Sequence, residues 1–125
     1  MSTAIHNITD VKTLDEQLNQ QVLAGDILGA FDKFYADDVV MQENNDAPRV
    51  GKAENRKFEQ AFLDSVEQFH GAKVLGSAVN GDLSYSEWEF DATYKGGGRV
   101  KAAQVAARRW KNGKVVHERF YYSKA

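Results

Sequence analysis

Residues 99–110 (RVKAAQVAARRW) and 114–122 (KVVHERFYY) decide the fold. Each run alternates apolar and polar side chains, the period of a half-buried strand. Between them lies Lys111-Asn112-Gly113. Asn-Gly flanked by alternating runs is a strong hairpin signal, because a type I′ turn needs positive φ at both central residues. One face of this hairpin carries Ala102, Gln104, Ala106, Arg108 and Trp110, then Val116, Glu118, Phe120 and Tyr122. Arg108 and Glu118 thus sit on a face otherwise suited to burial, where a charge needs a partner.

Upstream of the hairpin, residues 83–94 alternate as clearly. Trp88, Phe90, Ala92 and Tyr94 share one face, and Glu87, Glu89, Asp91 and Thr93 the other. A strand at 72–79 leads into them through Asn80-Gly81, and Gly96-Gly97-Gly98 turns into the final hairpin. Before residue 70 the period becomes helical. Val11, Leu14, Leu18 and Val22 predict a helix over 9–24, with Thr13 and Glu16 as a capping box and Gly25 as the stop. Asp26 caps a short second helix carrying Ile27, Phe31 and Phe34, which Asp37-Asp38 ends. Residues 39–43 read as a short strand with Met41 and Glu43 on one face. A polar loop over 44–51 holds the only proline, Pro48. Phe58, Phe62, Val66 and Phe69 predict a third helix over 52–69.

Helices followed by a meander of long strands make an α+β layout. The expected architecture is a cone-like curved antiparallel β-sheet with three N-terminal-half helices packed on its concave face. That packing leaves an open-ended cavity between sheet and helices, a common ligand site.

Composition narrows the function classes. At 125 residues and 42% hydrophobic, the chain suits one domain spanning 1–125. A net charge of −2 points to neither nucleic acid nor membrane as a partner. The absence of cysteine excludes disulfides, thiol catalysis and thiolate metal sites. The start MSTAIHNITD has neither a charged nor an apolar signal region, so a cytoplasmic location is expected. No histidine cluster or carboxylate spacing suggests a metal site, and Gly96-Gly97-Gly98 lacks the lysine of a phosphate loop. No cofactor is expected.

Four stretches carry a family resemblance: Ala24-Gly25-Asp26, Phe34-Tyr35-Ala36-Asp37-Asp38, Gly51 before the third helix, and Trp110-Lys111-Asn112-Gly113-Lys114-Val115. Their order and spacing resemble the nuclear transport factor two-like superfamily, in particular SnoaL-like polyketide cyclases and ketosteroid isomerases, over nearly the whole chain. The resemblance implies the cystatin-like topology and a cavity surrounded by Met41, Glu43, Phe58, Trp88, Phe90 and Ala92, with Tyr94, Ala106, Arg108, Trp110, Glu118 and Phe120. It does not carry over isomerase chemistry. Glu43 matches the family's carboxylate base, but Leu18 stands where that family has a tyrosine and Ala106 where it has a protonated aspartate. Both oxyanion donors are missing, and they usually supply the largest catalytic contribution. Dehydratases of the scytalone type need inward histidines, whereas His117 faces outward by parity. Epoxide hydrolases of the limonene type place an aspartate two residues after an arginine, where this chain has Trp110 after Arg108.

The candidate site therefore has two parts. Glu43 is either a general base or a solvated carboxylate at the cavity mouth beside Asn44-Asn45. Arg108 is either an oxyanion or carboxylate partner oriented by Glu118, or half of a structural pair with it. Met41, Phe58, Trp88, Phe90, Tyr94, Trp110 and Phe120 are the candidate ligand-binding residues, equally suited to plain core. Tyr94 and Tyr122 could donate hydrogen bonds. The expected function is binding of a small hydrophobic or ring-containing ligand, with acid–base isomerisation, cyclisation or dehydration if the protein is an enzyme. The alternative is a non-catalytic ligand-binding or dimerisation module. On the outer sheet face Val105, Ala107 and Tyr121 lie among Glu87, Glu89, Asp91, Arg109, His117 and Arg119. That mixture suits a homodimer interface.

Overall fold

The computed structural model describes residues 10–123. The first nine residues, on which the reading of the N-terminal leader and the start of the first helix partly rested, lie outside them. The elements are α1 (Val11–Leu23), α2 (Ile27–Phe34), β1 (Tyr35–Glu43), β2 (Arg49–Val50), α3 (Lys52–Ser65), β3 (Val66–Asn80), β4 (Leu83–Tyr94), β5 (Gly98–Lys111) and β6 (Lys114–Tyr122). Three helices pack on a curved, unclosed six-stranded sheet in the order β2–β1–β6–β5–β4–β3, the α+β arrangement expected. Every pairing is antiparallel except that of β1 with β6.

The β5–β6 hairpin closes as its sequence dictates. Lys111 pairs with Lys114, and Asn112 and Gly113 take φ of 52° and 77°. One detail is corrected. A bulge between Arg109 and Trp110 sets Trp110 opposite Val115, so Val115 is fully buried and Val116 only partly. The extra residue shifts the alternation by one at the turn end of β6. The β3–β4 turn is Gly81-Asp82 rather than Asn80-Gly81, because Asn80 already pairs with Leu83.

The helix ends differ in three places. Asp10 caps α1, its side chain accepting from the Thr13 amide at 2.8 Å, where Thr13 and Glu16 were expected to form the box. The chain turns extended at Tyr35, so β1 begins four residues before Val39. The helix α3 stops at Ser65, whose hydroxyl donates to the Phe62 carbonyl at 2.6 Å. Val66 and Phe69 continue the helical spacing in sequence, yet they pair with Tyr94 and Ala92 on β4. Here a long partner strand outweighs local periodicity. The expected polar loop also contributes β2, pairing Val50 with Val40 and Arg49 with Met41. Buried Asn55 pins it, donating to the carbonyls of Arg49 and Gly51 at 2.9 Å each.

The core lies between α1, α2 and the β1–β6–β5 end of the sheet. It gathers Leu18, Phe31, Phe34, Val39, Met41 and Trp110. The other part of the concave face is not filled in this way, and the reason is visible in the strand register.

Candidate functional site

Three rungs of residues cross the concave face. In the first, Ser84 on β4 pairs with Arg108 on β5, Glu118 on β6 and Met41 on β1. In the second, Ser86 meets Ala106, Phe120 and Glu43. In the third, Trp88 meets Gln104 and Tyr122, and Phe90 beyond it faces Ala102. Small side chains at Ala102 and Ala106 leave room in front of the large rings on their neighbours. The helices bridge this space without filling it, leaving a cavity of about 300 Å³. This is at the small end of ligand-sized sites.

The first rung is a buried polar floor. Arg108 donates from Nε to Glu118 at 2.6 Å, and from Nη1 to Asp15 at 2.8 Å and Asn19 at 2.7 Å. Glu118 also accepts from the Tyr35 hydroxyl, and Asp15 from the Ser84 hydroxyl. Ser84 in turn accepts from the Trp110 indole. All these groups are nearly excluded from solvent. Burial pulls the Arg108 pKa down, but Glu118, Tyr35 and Asp15 outweigh it and hold the guanidinium above its ordinary value. Burial and the adjacent Glu118 charge hold the Tyr35 hydroxyl well above the usual phenol range.

Glu43 lies at the end of β1 and lines the cavity. Its charge is met by Arg49, at 2.9 Å, and by the Tyr122 hydroxyl, which donates at 3.1 Å. Arg49 is held in turn, with its Nε on Asn55 at 3.1 Å and its guanidinium 3.5 Å from the Phe58 ring centre. The Tyr122 hydroxyl is pushed up to about 12 by partial burial and by the charge it touches.

Sequence reasoning missed a third carboxylate. Glu59 lines the cavity between Phe58 and Phe62 on α3. It makes no hydrogen bond or ion pair among the described residues. Burial, reinforced by the charges of Glu118 and Glu43, raises its pKa from 4.5 to about 7, while Arg49 opposes the rise. The signal was present: Glu59 is four residues after Asn55 and three before Phe62, the spacing of one helix face. A lone helical glutamate reads as solvated, which hid it. Asp15 and Asn19 share a face of α1 with Leu18 and Val22 by the same rule.

Of the residues singled out from sequence, Glu43, Arg108 and Glu118 all border the cavity, as do Phe58, Trp88, Phe90, Tyr94 and Phe120. Met41 and Trp110 do not. Both lie in the core with Leu18 and Phe34, Met41 at the β1 end of the polar rung and Trp110 one step past Arg108 toward the hairpin turn. Trp88 and Phe90 stack with parallel rings 5.5 Å apart, and Phe62 meets Tyr94 edge-on at 6.2 Å. Among the described residues, no group of three or more histidines, cysteines or carboxylates is placed to hold a metal ion. No helix among them is long and apolar enough to cross a membrane.

Comparison with known proteins fits this geometry. A family model described as SnoaL-like domain matches residues 9–122. A solved structure of a candidate SnoaL-like polyketide cyclase [carbohydrate phosphatase] from Mesorhizobium loti is 34% identical and superposes with a TM-score of 0.82, over 90% of this chain and 98% of that one. At 10% identity, a candidate SnoaL-like polyketide cyclase from Jannaschia sp. CCS1 shares the fold alone (TM-score 0.77; 89% and 86% covered). So does AclR of Streptomyces galilaeus, a candidate hydroxylase, at 21% identity (TM-score 0.74; 90% and 77% covered). A search of curated proteins gives no match. With the family model spanning nearly all of it, and a close structural relative at a third identity, the chain belongs to the SnoaL-like family.

Proposed function

We propose that the cavity between helices and sheet binds a small, ring-containing organic molecule, and that chemistry performed there is acid–base: isomerisation, cyclisation or dehydration. The observation that carries this is the cavity itself. Its wall is mostly aromatic and aliphatic, with a few carboxylates converging on it, the composition of a small-molecule site. The Mesorhizobium relative, a candidate polyketide cyclase, fits a ring-containing ligand.

Within that reading the roles move. Glu43 is already held by the Arg49 ion pair and by the Tyr122 hydroxyl, and so serves better as an anchor than as a base. Arg108 is engaged by Glu118, Asp15 and Asn19, which supports the structural role for the pair. Glu59 is the cavity group whose protonation changes near neutral pH, where a general acid or base works best. A second copy of this chain on the outer sheet face is the proposed partner, supported by exposed Tyr85, Val105 and Tyr121 on that face.

The test is native mass spectrometry of the purified protein, followed by thermal shift with any compound found. A bound small molecule that stabilises the protein, and loses that effect in Ala102→Phe, supports the reading. A stabilising compound unaffected by filling the cavity places its site elsewhere and overturns it. Failure of any ring compound to stabilise the protein leaves the dimerisation module ahead.

A further inference from the structure

The charges around the cavity do not balance. Four carboxylates, those of Asp15, Glu43, Glu59 and Glu118, stand in or directly behind the wall against two guanidiniums, Arg49 and Arg108. Both guanidiniums are already engaged by carboxylates. Tyr35 and Tyr122 turn their hydroxyls onto Glu118 and Glu43. Glu59 alone among the carboxylates has no partner, and it faces an apolar space.

We propose that the ligand is a ring compound carrying a basic nitrogen, and that Glu59 is the counter-ion for its protonated form. This rests on the small-molecule reading above and names the ligand class. An anionic ligand would meet surplus negative charge with no free cation to receive it, and would be repelled. A protonated nitrogen would give Glu59 the partner the chain withholds. The aromatic faces around it, Phe58 and Phe62 on α3 with Trp88 and Phe90 opposite, favour a cation further through their ring quadrupoles. The groups whose charges act on Glu59 are Glu118, Glu43 and Arg49, and the first two raise its affinity for a proton or a cation alike.

The experiment uses three probes of one shape: benzylamine, benzyl alcohol and benzoate, titrated into the protein at pH 8 with binding followed by NMR. Benzylamine should bind at least about tenfold more tightly than the other two, a difference of about 1.4 kcal/mol. In Glu59→Gln that preference should fall to within about twofold, whereas Glu54→Gln, exposed on α3 and outside the cavity, should leave it intact. The carboxyl carbon of Glu59 should also titrate at lower pH when benzylamine is present. Equal or tighter binding of benzoate or benzyl alcohol by the unaltered protein overturns the inference, independently of how any variant folds. So does a benzylamine preference that survives Glu59→Gln. Binding of all three probes equally spares the small-molecule reading and removes only the ligand class, whereas binding of none removes both.

Discussion

Arg108 has two carboxylate partners where the hairpin register supplied only one. Glu118 was visible across the strand pair, because Arg108 and Glu118 are opposed on one face. Asp15 was not, since nothing in the sequence says which helix turn will lie over Arg108. The difference changes what mutation should do. Glu118→Gln leaves Arg108 paired with Asp15, so the loss is that of imperfectly satisfied hydrogen bonds, about 1–3 kcal/mol. Arg108→Met leaves two buried carboxylates without a cation and should cost about 3–5 kcal/mol. Urea unfolding at pH 8 checks the order, and equal costs would mean that Asp15 contributes little. Glu59 gives a prediction of opposite sign. Its folded pKa, about 7, lies above its ordinary 4.5, so its protonated form stabilises the fold below pH 4.5 and that contribution is lost as pH rises to 7. The full shift corresponds to about 3 kcal/mol, and partial exposure reduces this to about 1–2 kcal/mol. Glu59→Gln, which stays neutral, should therefore be more stable than the unaltered protein by that amount at pH 8. The two should converge at pH 4.5. A constant difference across this range would mean that Glu59 titrates normally.

At the scale of elements, strand faces and the last hairpin turn were legible because their signals are local. Alternation over 83–94 separates the faces of β4, and Asn112-Gly113 fixes the last hairpin. What local signals could not settle was competition between a segment's own period and a distant partner. Val66 and Phe69 continue the spacing of Phe58 and Phe62, yet β4 is long enough to recruit them into β3. Val115 and Val116 are indistinguishable in sequence until the bulge at Arg109–Trp110 chooses between them. The α2 cap tests a local signal directly. Asp26 accepts from the Gly29 amide at 3.0 Å, and a Cβ added at Gly29 would run into the Asp26 carboxylate. Asp26→Ala should cost about 1 kcal/mol. Gly29→Ala displaces the cap but adds up to about 1 kcal/mol of helix propensity, so alone it should be nearly neutral. In the Asp26→Ala background there is no cap left to displace, and Gly29→Ala should become stabilising. Thermal unfolding of the four proteins in this cycle would show the change of sign. Additive effects would mean that the two side chains do not meet.

For the whole molecule, the two faces of the sheet pose different problems. The concave face is covered by helices and keeps a cavity. Among the described residues no element covers the outer face, and two of its rows combine apolar side chains with a charge at one end. Glu87, Val105 and Tyr121 lie side by side across three strands, as do Tyr85, Ala107 and Arg119. Tyr85, Val105 and Tyr121 are between 36% and 46% exposed, enough to form a patch rather than scattered contacts. Charges flank it but are mostly engaged within the chain. Glu89 meets Lys73 and Lys101, Asp91 meets Arg99, and Arg119 holds the Asn44–Asn45 turn. Arg109 meets Asp82 at 3.7 Å rather than a carboxylate of β4. The patch would associate through Tyr85, Val105 and Tyr121, and a two-fold axis lets one surface serve both copies. Light scattering should therefore show a dimer at micromolar concentration. Val105→Glu puts a carboxylate at the centre of the patch and should shift the protein to monomer, with the cavity and its ligand response unchanged. A monomer before substitution, or a dimer indifferent to Val105→Glu, would move the contact away from this face.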